Sequence, residues 1–213
     1  MTNTITHSAR RRVGLAGGAV AVLAALAVGL GSTPANAADL SSGHVDFVSV
    51  AANGSQLKLG SNVNDTGWVA ASANTLKVAS TSGASGTGYI LPESHDEADA
   101  RGVPFAGFSG DEDLRDLGFV AGNTVTVKLE SVAYTPASGQ SGTGTVSISQ
   151  GGTAWFTNAA KTHAFTVESG SDEAYHQHAK WVFSKAGTYQ LTFSASGKGK
   201  SAGSTTYTVK AGV

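Results

Sequence analysis

Through most of the chain, apolar and polar residues alternate with a period of two, as in strands that bury one face. His44–Val50 reads as the first strand, with Val45 and Phe47 inward and His44 and Asp46 on the other face. Gln56–Leu59 follows an Asn53-Gly54 turn, which predicts a hairpin. Further strands are expected at Thr75–Ala79, Asn123–Glu130, Gly144–Ser149, Thr162–Val167, Lys180–Phe183, Gly187–Phe193 and Thr205–Val209. Ala186-Gly187 and Ser196-Gly197-Lys198-Gly199 supply turns, and the Gly/Ser stretches 80–88 and 138–144 read as loops within one domain. The pattern predicts an all-β fold, an antiparallel, immunoglobulin-like β-sandwich over residues 38–213. At most one short helix is expected, near Asp111–Leu117, where Ser109 and Glu112 fit a capping box, Leu114 and Leu117 share a face and Gly118 can end it.

The first residues break this pattern. Arg10–Arg12 precede an apolar run from Val13 to Leu30, and Ala35-Asn36-Ala37 matches a small-residue cleavage site. Residues 1–37 therefore read as a secretion signal peptide with Ala38 as the first mature residue, and the arginines also resemble a twin-arginine signal. No later apolar run is long enough to span a bilayer. The chain ends as a strand without a sorting tail, so the mature protein is expected outside the cell, free or held non-covalently.

Composition narrows the chemistry. Lys and Arg number 14 against 15 Asp and Glu. Removing the leader takes away three Arg and no acid, leaving 11 against 15, a net charge of −4. That balance does not suit a nucleic-acid binder held by counterion release. The absence of Cys excludes disulfides, thiolate zinc sites, iron–sulfur clusters and Cys nucleophiles. Met1 is the only Met, which excludes a methionine copper(I) site in the mature chain. There is no Gly-x-Ser-x-Gly elbow in strand–helix context, no Gly-rich phosphate loop and no HExxH, so the chain is expected not to be an enzyme. A copper site at the amino terminus would need His, not Ala38, as the first mature residue.

Any transition-metal site must then use imidazoles and carboxylates. In His176-Gln177-His178 the i, i+2 spacing projects both rings from one face of a strand, a chelating geometry for zinc or copper(II). Continued alternation puts Ala179, Trp181 and Phe183 on the opposite, core side. His44-Val45-Asp46 repeats the spacing with an imidazole and a carboxylate. His95 lies in the acidic, turn-rich segment Leu91–Asp99, which reads as a loop able to supply a further ligand or a lid. His163, beside Phe165, reads as structural. Asp111-Glu112-Asp113 lacks EF-hand spacing and is explained by a helix N-terminus.

Three segments taken together resemble the actinobacterial surface-anchored repeat domain, also called the choice-of-anchor M domain. They are Gly43-His44-Val45-Asp46, then Gly88–Glu93 followed by Val103–Phe108, and last His176-Gln177-His178-Ala179-Lys180-Trp181 running into Gly187-Thr188-Tyr189. The last is the most specific. The resemblance implies a secreted or wall-attached protein that handles zinc or manganese beside a metal-type ABC transport system. It also implies that His44, Asp46, His176 and His178 form one constellation. The leading expectation is thus a secreted, non-catalytic, surface-associated protein binding a divalent metal, most readily zinc. The competing expectation is a carbohydrate or cell-wall binding module that stacks sugars on Trp68, Trp155, Trp181 and the five Tyr.

Overall fold

The computed structural model describes residues 37–80, 88–157, 161–170 and 172–213. Residues 1–36 of the expected signal peptide lie outside the described residues. The described residues form an all-β sandwich built from three sheets. The largest sheet runs in the order β1 (Ala38–Leu40), β5 (Asn74–Val78), β15 (Lys200–Ala211), β14 (Gly187–Gly197), β8 (Thr124–Pro136) and β11 (Thr162–Thr166). A five-stranded sheet runs β12 (Tyr175–His178), β7 (Phe105–Gly110), β2 (His44–Asn53), β3 (Gln56–Val63) and β4 (Trp68–Ala70). A four-stranded sheet runs β10 (Thr153–Phe156), β9 (Val146–Gln150), β13 (Lys180–Phe183) and β6 (Tyr89–Leu91).

The alternation places one core among the sheets. Trp181 of β13 is fully buried and stacks on Phe108 of β7 at 5.2 Å between centroids. Phe47 of β2 meets Trp181 edge-on at 6.0 Å and Tyr207 of β15 at 5.2 Å. These aromatic contacts join the three sheets, and the Tyr207 hydroxyl donates to the Gly60 carbonyl at 2.9 Å. The predicted β2–β3 hairpin is present, with Asn53 paired to Gln56 and Gly54 at φ 58°.

Two expectations are corrected. Two of the three sheets are mixed, because β1–β5, β5–β15 and β2–β7 pair in parallel, while the four-stranded sheet is antiparallel throughout. The helix lies elsewhere. Ser109 is spent inside β7, where its hydroxyl donates to Ser49 at 3.1 Å, so 109–117 keeps only a 3₁₀ turn at Glu112–Arg115 capped by Asp111. The α-helix, α1, spans His95–Arg101 within the segment read as a loop and its flank. Ser94 caps it, Asp96 and Glu97 sit in its first turn, Arg101 in its last, and Gly102 closes it in the left-handed region.

Candidate metal centre

Strand register brings the four candidate side chains together. Across β2 and β7, His44 faces Phe105 and Asp46 faces Gly107. Across β7 and β12, Gly107 faces His178 and Ser109 faces His176. Residues in register, or two apart along one strand, share a face, so His44, Asp46, His176 and His178 rise from one side of this sheet. β7 lies between the two ligand strands, and Gly107 leaves the gap across which Asp46 and His178 approach. A Cβ on Gly107 would come within 2.9 Å of the His178 Nδ1 and of the Gln177 carbonyl.

A bulge then shifts the pattern along β2. Register moves between Asp46 and Val48, so Phe47 and Val48 both turn inward. Simple alternation would put Ser49 on the core face with Phe47. The bulge instead pairs Ser49 with Ser109, on the ligand side, where it lines a cleft beside His44 and His176.

The four side chains offer donor atoms that all lie within 4.8 Å of one another. The three imidazole Nε2 atoms form a close triangle: His44 to His176 at 3.1 Å, His44 to His178 at 3.0 Å, and His176 to His178 at 2.9 Å. Asp46 Oδ1 is 3.0 Å from Nε2 of His176 and 3.6 Å from Nε2 of His44. A tetrahedral zinc with arms of about 2.0–2.1 Å has donor–donor edges of roughly 3.3 Å, which these five distances bracket. Each ring nitrogen has a single in-plane direction, either an N–H or a lone pair. Three Nε2 atoms aimed at one point therefore cannot all satisfy each other, whereas a cation at that point accepts all three lone pairs. The group could hold a metal ion.

Burial and charge differ among the ligands. Asp46 is fully buried, and its Oδ1 faces Nε2 of His176 at 3.0 Å. An ionised carboxylate in that position needs a positive partner. His176 is held at Nε2 by Asp46 and at Nδ1 by Glu173, and this hydrogen bonding raises its pKa to about 10. Burial pushes His178 down to about 4, helped by the neighbouring His176. His178 also stacks flat on Phe105, with ring centroids 3.5 Å apart. A cleft of about 590 Å³ opens beside the cluster, lined by His44 and His176 together with Asp65, Asp111, Glu112, Glu168, Asp172 and Glu173. None of its described lining residues is Lys or Arg, so its field draws cations.

The remaining candidates fall outside this group. His95 is not among the four converging residues: on exposed α1 it pairs with Asp99 at 3.5 Å and meets Phe105 edge-on, while His178 stacks on the same Phe105. The residue expected as an additional ligand is thus a surface helix residue. His163 packs on Trp155 at 4.4 Å, in keeping with a structural role. Trp155, Trp181, Tyr175, Tyr189 and Tyr207 are buried, and Lys58 covers the Trp68 ring at 4.2 Å. The large apolar side chains exposed among the described residues are Val120 and Val213, which are not aromatic.

Sequence reasoning missed β7. Phe105-Ala106-Gly107-Phe108-Ser109-Gly110 has four small residues and no β-branched one, so propensity is silent there. It also missed Asp65 and Glu173, whose carboxylates touch His44 and His176 from outside the cluster. The Asn64-Asp65 turn pair and the three-residue spacing of Glu173 from His176 were the available signals. Compared with known proteins, the chain matches no family model, no curated protein and no solved structure.

Proposed function

We propose that the chain is a secreted, non-catalytic, surface-associated protein that binds one divalent metal, zinc, through His44, Asp46, His176 and His178, as an accessory to metal uptake. The observation that carries this reading is the convergence, from both ends of the mature chain, of three Nε2 atoms and one buried carboxylate oxygen within 4.8 Å of one another. Three nitrogens and one oxygen in a tetrahedron suit zinc, whereas manganese takes more oxygens and copper(II) prefers a tetragonal plane. Four protein ligands complete the zinc shell, leaving none of the four positions for the water that a catalytic zinc activates. The acidic cleft supports a role in gathering cations at low concentration. Export rests on the leader pattern of residues 1–37, and the link to a metal-type ABC transport system rests on the resemblance of the three motifs.

Metal analysis of the mature protein after mild purification, followed by zinc titration, tests the reading. One zinc per chain is expected. A His176→Ala/His178→Ala variant should lose it while keeping its β-rich circular dichroism, since both side chains lie on the face of the five-stranded sheet opposite the aromatic core. Zinc binding as tight in this variant as in the parent would remove the proposal.

A further inference from the structure

The metal reading leaves two carboxylates unexplained, and they occupy equivalent places. Asp65 Oδ1 lies 3.3 Å from Nδ1 of His44, and Glu173 Oε2 lies 2.9 Å from Nδ1 of His176. In both cases Nδ1 turns away from the cluster and Nε2 turns into it. We infer that Asp65 and Glu173 are positioning residues for the metal centre, each fixing one cleft-side imidazole in the tautomer and orientation that presents Nε2. This rests on the metal reading proposed above.

The chemistry follows from the donor inventory. An ionised carboxylate only accepts hydrogen bonds, so a ring nitrogen facing it must carry the hydrogen. A neutral imidazole with its hydrogen on Nδ1 has its lone pair on Nε2, the atom that points inward. The carboxylate also pushes electron density onto the ring and strengthens Nε2 as a ligand. The two outer carboxylates and Asp46 together carry three negative charges around a divalent cation.

Both carboxylates are held by local structure built for the purpose. Asn64 and Asp65 lie in the turn between β3 and β4 at φ 50° and 54°, a left-handed pair that Asn and Asp tolerate best. The Asn64 N–H donates to the His44 carbonyl at 3.0 Å, which ties the turn to the residue its neighbour orients. Glu173 stands three residues before His176, and Arg115 donates to its main-chain carbonyl at 3.2 Å. His178 has no carboxylate facing its Nδ1, and its ring plane is held by the stack on Phe105. The centre thus has two ligands fixed from the cleft by charge and one fixed from within by packing.

The test is zinc affinity of the mature chain by chelator competition, with zinc release rate and the visible spectrum of the cobalt(II) form. Glu173→Ala should weaken zinc binding by about 10–100-fold, mostly through faster release. Glu173→Gln keeps an acceptor for the Nδ1 hydrogen and should recover part of that loss, which a purely structural role would not require. Asp65→Asn keeps the left-handed turn and should have a smaller effect in the same direction, since Asp65 is exposed and its contact longer. All should retain a four-coordinate cobalt spectrum. If the parent binds zinc and both Glu173→Ala and Asp65→Asn match it within about twofold, well short of the expected loss, the positioning role is overturned and the metal reading stands. A parent that binds no zinc overturns the metal reading and this inference with it.

Discussion

His176 makes the centre respond to protons in a definite sense. Glu173 and Asp46 hold both its nitrogens, so in the metal-free protein it keeps its proton up to about pH 10. Zinc held as proposed would have to displace the hydrogen on Nε2. His178, pushed down to about 4 by burial, is already neutral near pH 7 and has none to give. Zinc binding at pH 7 should therefore release about one proton on account of His176, and affinity should fall about tenfold per pH unit below pH 10 from this group. Calorimetry in two buffers of different ionisation enthalpy measures the release, and zero release would contradict the assignment. In the metal-free protein the two histidines act oppositely. The raised His176 contributes stability present below its unfolded pKa of about 6.5, which is lost as pH rises toward 10. The depressed His178 contributes stability present above about 6.5, which is lost as pH falls toward 4. Thermal unfolding of the metal-free chain in chelator should be most resistant between these windows.

At the scale of the element, β7 explains why four ligands from two strands can meet. Strands one place removed lie about 9–10 Å apart, too far for direct contact unless the strand between them is bare. Gly107 is bare, paired with Asp46 on one side and His178 on the other. Gly107→Ala would press a methyl group to within 2.9 Å of the His178 ring and of a main-chain carbonyl, and the imidazole has to move. Zinc affinity should drop by at least about tenfold, as when a ligand's support is lost. The comparison of zinc titrations for this variant and the parent decides it, and unchanged affinity would mean that β7 is not the constraint. The helix is legible in the sequence: Ser94, Glu97 and Gly102 carry the same cap signals as Ser109, Glu112 and Gly118. Both segments have capping residues. What separates them is that Ser109 is committed to a strand, and only the sheet shows that.

On the scale of the molecule, the core and the site share strands. Trp181 packs on Phe47 and Phe108, which belong to the strands that carry Asp46 and Gly107. Trp181→Ala should cost roughly 3–5 kcal/mol, as truncation of a large buried aromatic does. Denaturant unfolding of the metal-free chain measures it, and a cost below about 1 kcal/mol, far short of a buried aromatic's, would deny the core its centre there. Because the sheets meet through these rings, the variant should also bind zinc more weakly than the parent.

Period-two alternation was enough to assign the all-β sandwich, the β2–β3 hairpin and the buried side of Trp181 and Phe183, because a strand with one wet face writes its register into the sequence. The i, i+2 spacing likewise determined that His176 and His178 share a face, and His44 and Asp46 theirs. Only the tertiary structure decided that the two pairs share one site, since their meeting depends on parallel pairing of β2 with the small-residue strand β7. It also decided that Asp46 is buried, that the bulge at Phe47 brings Ser49 round to the cleft, and that Asp65 backs His44. These are contacts between residues far apart in the chain or set by a local break in register, and a repeating pattern carries neither.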